Sequence, residues 1–331
     1  MAQRFEQTFK HVIEEIKKGG SFLIASHVNP EGDAVGSTLA LSLGLKELKK
    51  DVTAYLYDPV PALFRFLPFA DKVAHKVNED KVYDAILVVD CGQRERLGED
   101  FNKIKNKGKL INIDHHSTND CFGDINIINP DACAAGEMVH DLLQEIPVAI
   151  TPDIATNIYV SIVTDTGSFR YSSTTPKAFT VAGEMVKLGV EPWEIAQRVY
   201  ESQPLNKLKL LATVLNTLEL SDDGKIASLV ATLDMMNQAK AGKELVDGFV
   251  NYARTIEGVE VGILLREAKI GEYKISFRSK GRIDVSQISQ QFGGGGHKNA
   301  AGCNIKGSLA EVKEKVVSAA EKKIYEMAAI W

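Results

Sequence analysis

Four short stretches in the first half of the chain combine carboxylates and imidazoles in a way that could hold divalent metal. His27, Glu31 and Asp33 fall in HVNPEGD, and Asp90 ends the run AILVVD. Asp114, His115 and His116 end LINIDHH, and Asp165 stands in VTDTGSFRY. Each residue has an ordinary explanation by itself, since an aspartate at a strand end or helix start is commonly a turn former or a cap. Their conjunction asks for another one. Carboxylate and imidazole donors without thiolate suit manganese or magnesium better than a structural zinc. Two such ions would clamp a phosphate and lower the pKa of a bridging water, supplying hydroxide at neutral pH. One aspartate must bridge the pair, and Asp90, on the central strand, is the best placed.

The elements around these residues explain how they could meet. Phe5 to Lys17 has helical spacing and stops at Gly19-Gly20. SFLIAS, Val52 to Tyr57, AILVVD and LINID read as buried strands, with a helix from Asp33 to Lys49 between the first two. Alternating strands and helices imply an α/β fold, an open parallel sheet with helices on both faces. In such sheets ligands bind outside the carboxyl ends of the strands. Three strand ends would therefore deliver His27, Asp90 and the Asp114–His116 run to one rim. Helices are expected at Ala134–Leu143, Pro152–Thr164, Thr175–Leu188 and Pro192–Tyr200.

After Tyr200 the pattern changes. We expect a catalytic domain over residues 1–199, a linker over 200–215 around YESQPL, and a smaller α/β domain over 216–331. In that second domain Ile226–Thr232, Val259–Glu267 and Tyr273–Arg278 look like half-buried strands. Glu244–Thr255, Val285–Gln291 and Leu309–Ala328 look helical, and Gly293–Gly296 reads as a glycine loop.

The net charge of −5 over 331 residues argues against coating long nucleic acid, since such proteins usually carry a basic surface. No apolar run approaches a membrane span. Cys91, Cys121, Cys133 and Cys303 form no C-x-x-C pair and read as free thiols, so a zinc ribbon is not expected and the cytoplasm is.

These motifs together resemble the DHH superfamily of phosphoesterases, whose mark is Asp114-His115-His116 here. GGGGHKNAAG, Gly293 to Gly302, resembles the associated DHHA1 domain. The two-domain length is similar to the NrnA-like subfamily of bifunctional oligoribonucleases and 3′-phosphoadenosine 5′-phosphate phosphatases. The resemblance implies two divalent ions, manganese first, with magnesium or cobalt as substitutes. His27, Glu31 and Asp90 would hold one ion; Asp33, Asp90, His115 and Asp165 would hold the other. His116 would contact the scissile phosphate or assist the leaving oxygen, and Asp114 would orient a ligand histidine. The family usually carries aspartate where this chain has Glu31, and we expect Glu31 to reach the first ion with a different rotamer.

Glycines let backbone N–H groups approach an anion closely. Gly294, Gly295 and Gly296 with His297, Arg278 and Arg282 are thus expected to hold substrate, and Arg170 in GSFRY to meet a phosphate. The substrates would be short RNA oligonucleotides and small nucleotides, not long duplex DNA or a membrane; a homodimer is suggested only by analogy. Within the same chemistry the alternatives are a cyclic-dinucleotide phosphodiesterase, a RecJ-like single-strand exonuclease and a manganese pyrophosphatase. A different class, a non-catalytic nucleotide-binding protein, stays open beside them.

Overall fold

The alternating half of the chain forms a five-stranded sheet in the order β2–β1–β3–β4–β5, every neighbouring pair parallel. Its strands are β1 (Ser21–Ala25), β2 (Asp51–Tyr55), β3 (Tyr83–Val89), β4 (Lys107–Asp114) and β5 (Ile125–Ile128). A computed structural model describes residues 2–105 and 107–328 and divides after Glu201 into two units. In the first unit the chain winds to one side from β1 to β2 and to the other from β3 onward. The order therefore reverses between β1 and β3, and crevices for ligands open at such switch points.

The helices of this unit are α1 (Ala2–Lys18), α2 (Gly32–Glu47), α3 (Ala135–Gln144), α4 (Pro152–Asp165), α5 (Pro176–Lys187) and α6 (Pro192–Tyr200). Alternate strand residues choose the face, as the two-residue period of a strand requires. Phe22, Ile24, Leu87, Val89, Ile111 and Ile113 pack with residues of α1 to α6. Leu23, Ala25, Ile86, Val88 and Leu110 face the other way, onto Leu97, Phe101 and Ile104. That second face is covered by short 3-10 turns, Arg94–Leu97 and Glu99–Lys103. Helices thus lie on both faces, α-helices on one and 3-10 turns on the other.

Local chemistry sets the helix starts. Thr151 caps α4 and Thr175 caps α5, each hydroxyl accepting a backbone N–H three residues on, with proline at the first helical position. Helix α2 is buried almost all round and can be so because Gly36 leaves room: a Cβ there would stand 2.5 Å from the carbonyl oxygen of Asn157 in α4.

The second unit is a six-stranded mixed sheet in the order β10–β11–β9–β8–β7–β6. Its elements are α7 (Leu205–Leu215), β6 (Glu219–Leu220), β7 (Ile226–Ala231), α8 (Leu233–Gln238), α9 (Val250–Thr255), β8 (Val261–Lys269), β9 (Glu272–Ser279), α10 (Val285–Gln290), β10 (Gly295–His297), β11 (Ala300–Lys306) and α11 (Leu309–Ala328). Only β7 and β8 run parallel. Val312, Val316, Ala320 and Ile324 recur every fourth residue along α11 and seal one face with Ile275 and Phe277.

Two expectations change here. Residues 200–215 are not an extended linker for most of their length. From Leu205 they form α7, whose Leu210, Leu211 and Val214 are buried in the second unit's core, with Pro204 at the helix start. The glycine loop is also partly regular. Gly295–His297 is an edge strand paired antiparallel with β11. The glycines serve that pairing: Gly296 has φ +140°, and a Cβ on it would stand 2.4 Å from the Ala300 carbonyl oxygen. Among the described residues, no helix is long and apolar enough to cross a membrane.

Candidate metal centre

The rim beyond the strands' carboxyl ends collects most of the acids and histidines singled out above. His27 follows β1, Asp90 follows β3, and Asp114 to His116 close β4. Asp33 lies in the first turn of α2, and Asp165 is the last residue of α4. An acid at a helix C-terminus opposes the helix dipole, so Asp165 is placed there against local stability. Asp90 takes φ +51° and is buried, a left-handed conformation uncommon for non-glycine residues and frequent at functional sites.

His115 is the hub. It is 6% exposed, and its Nδ1 lies 3.2 Å from the Ala132 carbonyl, an acceptor that fixes the ring proton on that nitrogen. Its Nε2 then faces three carboxylates: Asp33 at 3.5 Å, Asp90 at 3.6 Å and Asp165 at 3.7 Å. These gaps exceed an ordinary N–H···O bond. They approach the separation of about 3.0–3.4 Å between two donors each about 2.1 Å from one cation. The donor atoms of Asp33, His115 and Asp165 all lie within 4.8 Å of one another. A divalent cation fits this donor set: oxygen and imidazole, crowded, mostly dry and rich in negative charge.

The electrostatics show the same hunger for positive charge. Burial and the neighbouring Asp90 carboxylate push Asp33 well above the usual carboxylate range. Burial, with Asp90 again, raises Asp165 to about 6. Burial opposes charge on His115, yet Asp90, Asp165 and Asp33 outweigh it and raise its pKa well above the ordinary value. Asp90 goes the other way: burial would raise it, but the imidazoles of His115 and His27 hold it well below.

Asp33 does not cap its own helix. Its Oδ2 accepts the Ala135 N–H at 2.7 Å, and its Oδ1 accepts the Gly136 N–H at 3.1 Å and the Ser161 hydroxyl at 2.5 Å. The first turn of α3 therefore anchors this carboxylate, as helix N-termini do for anions. On the other side of Asp90, His27 Nε2 stands 3.5 Å from Oδ2. Its Nδ1 is 2.8 Å from the Val28 carbonyl and 3.0 Å from Arg96 Nη2. Nδ1 can donate to the carbonyl or accept from the guanidinium, not both, and only the first leaves Nε2 open as a donor atom to metal. Glu31 is not brought into this cluster. It occupies the N-cap of α2 without capping it, its side chain is exposed, and it adds a negative field at Asp165.

Asp114 and His116 form a different kind of contact. His116 Nδ1 lies 2.8 Å from Asp114 Oδ1, a direct hydrogen bond with no room for an ion between them. Asp114 is fully buried, and its other oxygen accepts from Asn119 Nδ2 at 2.5 Å. Asn119 also lies 2.8 Å from Asn112 Oδ1. The histidine that Asp114 orients is thus His116. Burial opposes a charge on His116, but Asp114 and then Asp90 raise its pKa.

Ser161, Asn119, Arg96 and the first amides of α3 were outside the sequence reading. Only Ser161 had a signal: Asn157, Ser161 and Asp165 recur every fourth residue as a polar stripe on an otherwise apolar helix. Arg170 is exposed, and its Nε donates to the Gly167 carbonyl at 2.7 Å, after three consecutive left-handed residues, Gly167, Ser168 and Phe169.

In the second unit, Arg278 on β9 stands opposite Ala300 on β11, which stands opposite His297 on β10. Residues in one cross-strand row share a face. Arg278 and His297 therefore share the face turned away from Phe277 and the α10–α11 core, about 10 Å apart across two strand spacings. Gly294 and Gly296 are half-buried and Gly295 exposed beside them. Arg282 lies outside that row, exposed and 3.4 Å from Glu260.

Residues 21–162 match the DHH family, N-terminal domain, and residues 225–326 match the DHHA1 domain. A Thermus thermophilus protein called bifunctional oligoribonuclease and PAP phosphatase NrnA is 34% identical over 97% of this chain and 96% of its own length. The chain belongs to the DHH–DHHA1 family. These are metal-dependent phosphoester hydrolases. A Bacillus subtilis protein with the same name is 28% identical over 89% of this chain and 92% of its own length. The crystal structure of an exopolyphosphatase-related protein from Bacteroides fragilis superposes with a TM-score of 0.89, at 26% identity and 98% coverage of both chains.

Proposed function

We propose that this DHH–DHHA1 protein hydrolyses short oligoribonucleotides to mononucleotides and 3′-phosphoadenosine 5′-phosphate to AMP at a two-metal site. The reading is carried by His115 Nε2, ringed by Asp33, Asp90 and Asp165 at distances suited to shared ligation of a cation. Asp33, Asp90, His115 and Asp165 would hold one ion; His27 and Asp90 would hold the other, joined by Glu31 once its exposed side chain turns inward. The donor set, without thiolate, favours manganese. When bound, the pair supplies Lewis acidity toward the phosphoryl oxygens and a water-derived nucleophile at neutral pH.

The chain's own residues do the rest. Asp90 sits between His27 and His115 and is shared by both ligand sets. Asp114 keeps the Nδ1 proton of His116 and so aims Nε2 outward. As the imidazolium that Asp114 favours, His116 donates Nε2–H to a phosphoryl or leaving oxygen. Arg278 presents positive charge and His297 a ring N–H from one sheet face to the nucleotide's terminal phosphate. The substrate class is supported by the names of relatives that align over nearly the full chain. Four free cysteines suit a reducing compartment, and we place the enzyme in the cytoplasm.

The test is a panel assayed with manganese: an RNA dinucleotide, a 24-mer RNA, 3′-phosphoadenosine 5′-phosphate, cyclic di-AMP and pyrophosphate. Turnover of the dinucleotide and of the bisphosphate, with the 24-mer slow, is expected. Turnover of pyrophosphate alone would overturn the nucleotide reading. Arg278→Ala should raise KM for the dinucleotide about tenfold with kcat little changed, as loss of a remote charged contact does.

A further inference from the structure

One buried hydroxyl ties together the three helices behind the Asp33 carboxylate. Ser161 sits in the middle of α4 and is fully buried. Its Oγ donates to Asp33 Oδ1 at 2.5 Å and accepts the Gly136 N–H from the first turn of α3 at 3.0 Å. A serine hydroxyl has one proton to give and lone pairs to receive with, so both contacts are made at once. The packing is built around it. A Cβ on Gly136 would stand 2.0 Å from that oxygen, and a Cβ on Gly36 of α2 would stand 3.0 Å from the Ser161 Cβ. A larger residue at Gly136 drives the hydroxyl away from Asp33, and one at Gly36 presses on the α4 backbone that carries it, with the Asn157 carbonyl oxygen 2.5 Å from its Cβ. Asp33 is held on the opposite side by the Ala135 N–H. Its two oxygens are thus fixed by three donors from two helices, and the orientation of the carboxylate is determined before any cation arrives.

We propose that Ser161 is a positioning residue, whose hydroxyl locks the Asp33 carboxylate in the orientation that binds divalent metal beside His115 and Asp165. The inference rests on the reading of Asp33 as a metal ligand. Groups that orient a ligand in this way cost about 10- to 100-fold in metal affinity when removed. Ser161→Ala removes the proton donor and little volume, and alanine favours the helix. Asn157→Ala is the control for packing. It lies one turn earlier on the same face, equally buried, and bonds to the Pro68 and Asp153 carbonyls rather than to Asp33.

The experiment is calorimetric titration of Mn²⁺ into the metal-stripped full chain for the wild type, Ser161→Ala, Gly136→Ala, Asn157→Ala and Asp33→Asn, with circular dichroism as the check on folding. Ser161→Ala should weaken one manganese site about 10- to 100-fold. Gly136→Ala, which keeps Ser161 and displaces its hydroxyl, should do the same, and Asn157→Ala should leave the affinity unchanged. Raising Mn²⁺ should restore most of the Ser161→Ala turnover, because no group that touches substrate has been removed. If Asp33→Asn weakens binding but Ser161→Ala matches the wild type, the positioning role is wrong and the ligand reading stands. If Asn157→Ala weakens binding as much as Ser161→Ala, the effect is packing and the role is again wrong. Unchanged affinity in Asp33→Asn would instead remove Asp33 from the ligands.

Discussion

The two sides of Asp90 are built unequally. On the side of His115, two donors have their own anchors, Asp33 on the α3 amides and Ser161 and His115 on the Ala132 carbonyl, with Asp165 beside them at the C-terminal end of α4. On the side of His27, one buried imidazole has its Nδ1 contested by a carbonyl and Arg96, and the companion carboxylate, Glu31, is exposed. Donors fixed in advance lose little freedom when an ion arrives, whereas an exposed glutamate must be ordered at that moment. We therefore expect one tight and one loose metal site, with Asp90 common to both.

The largest effect should come from the shared residue. Asp90→Ala should abolish turnover by at least about 10³-fold with circular dichroism intact, because both ligand sets lose their common carboxylate. A variant that folds and retains a tenth of the activity would break the two-metal reading altogether. Next comes His115→Ala against His27→Ala, read by manganese titration. The first should remove the tight site and the second the loose one. Two variants that lose the same site would collapse the comparison into a single centre.

Chelation gives a smaller and wholly thermodynamic readout. Ligand at a hundredfold excess over Kd stabilises by about 2.7 kcal/mol per site. For a unit of this size that is roughly 5–10 °C in Tm. Manganese added to stripped protein should raise the melting temperature of the first unit by about this much. His115→Ala should lose most of the rise and Glu31→Ala little of it.

How much of this was visible in the chain depends on what side chains can announce. AILVVD and LINID, bounded by turn residues, give the central strands and the acids at their ends. The four-residue INII strand at the sheet edge is too short for periodicity to separate from loop. Where β10 pairs with β11 the residues are mostly glycine and alanine, Gly295 and Gly296 against Gly302 and Ala301, and side chains so small give little alternation to read. Pro204 suggested a linker, and the structure uses it to start α7. At the site, types and positions of ligands were legible because metal demands particular atoms. Their anchors were not. Asp33 is held by two backbone amides 102 and 103 residues away, and a backbone amide has no letter in the sequence. Asn119 bonds to Asp114 from a loop where asparagine is ordinary.

Glu31 carries the smallest expected effect and the sharpest test of the inequality. Its carboxylate is one methylene longer than the aspartate usual in the family, and it starts from solvent rather than from a fixed bond. If it is a working ligand, Glu31→Ala should weaken the loose manganese site by about tenfold and leave the tight site unchanged. Glu31→Asp should do the reverse for a physical reason. A shorter side chain has one fewer torsion to freeze, worth a few tenths to about 1 kcal/mol on ordering and so up to about fivefold tighter binding. A titration with a single tight site, identical in the wild type and Glu31→Ala, would leave His27 and Asp90 without their third ligand. The loose side would then bind its ion only with the phosphate of the substrate completing the shell, and manganese affinity should rise on adding a non-hydrolysable dinucleotide.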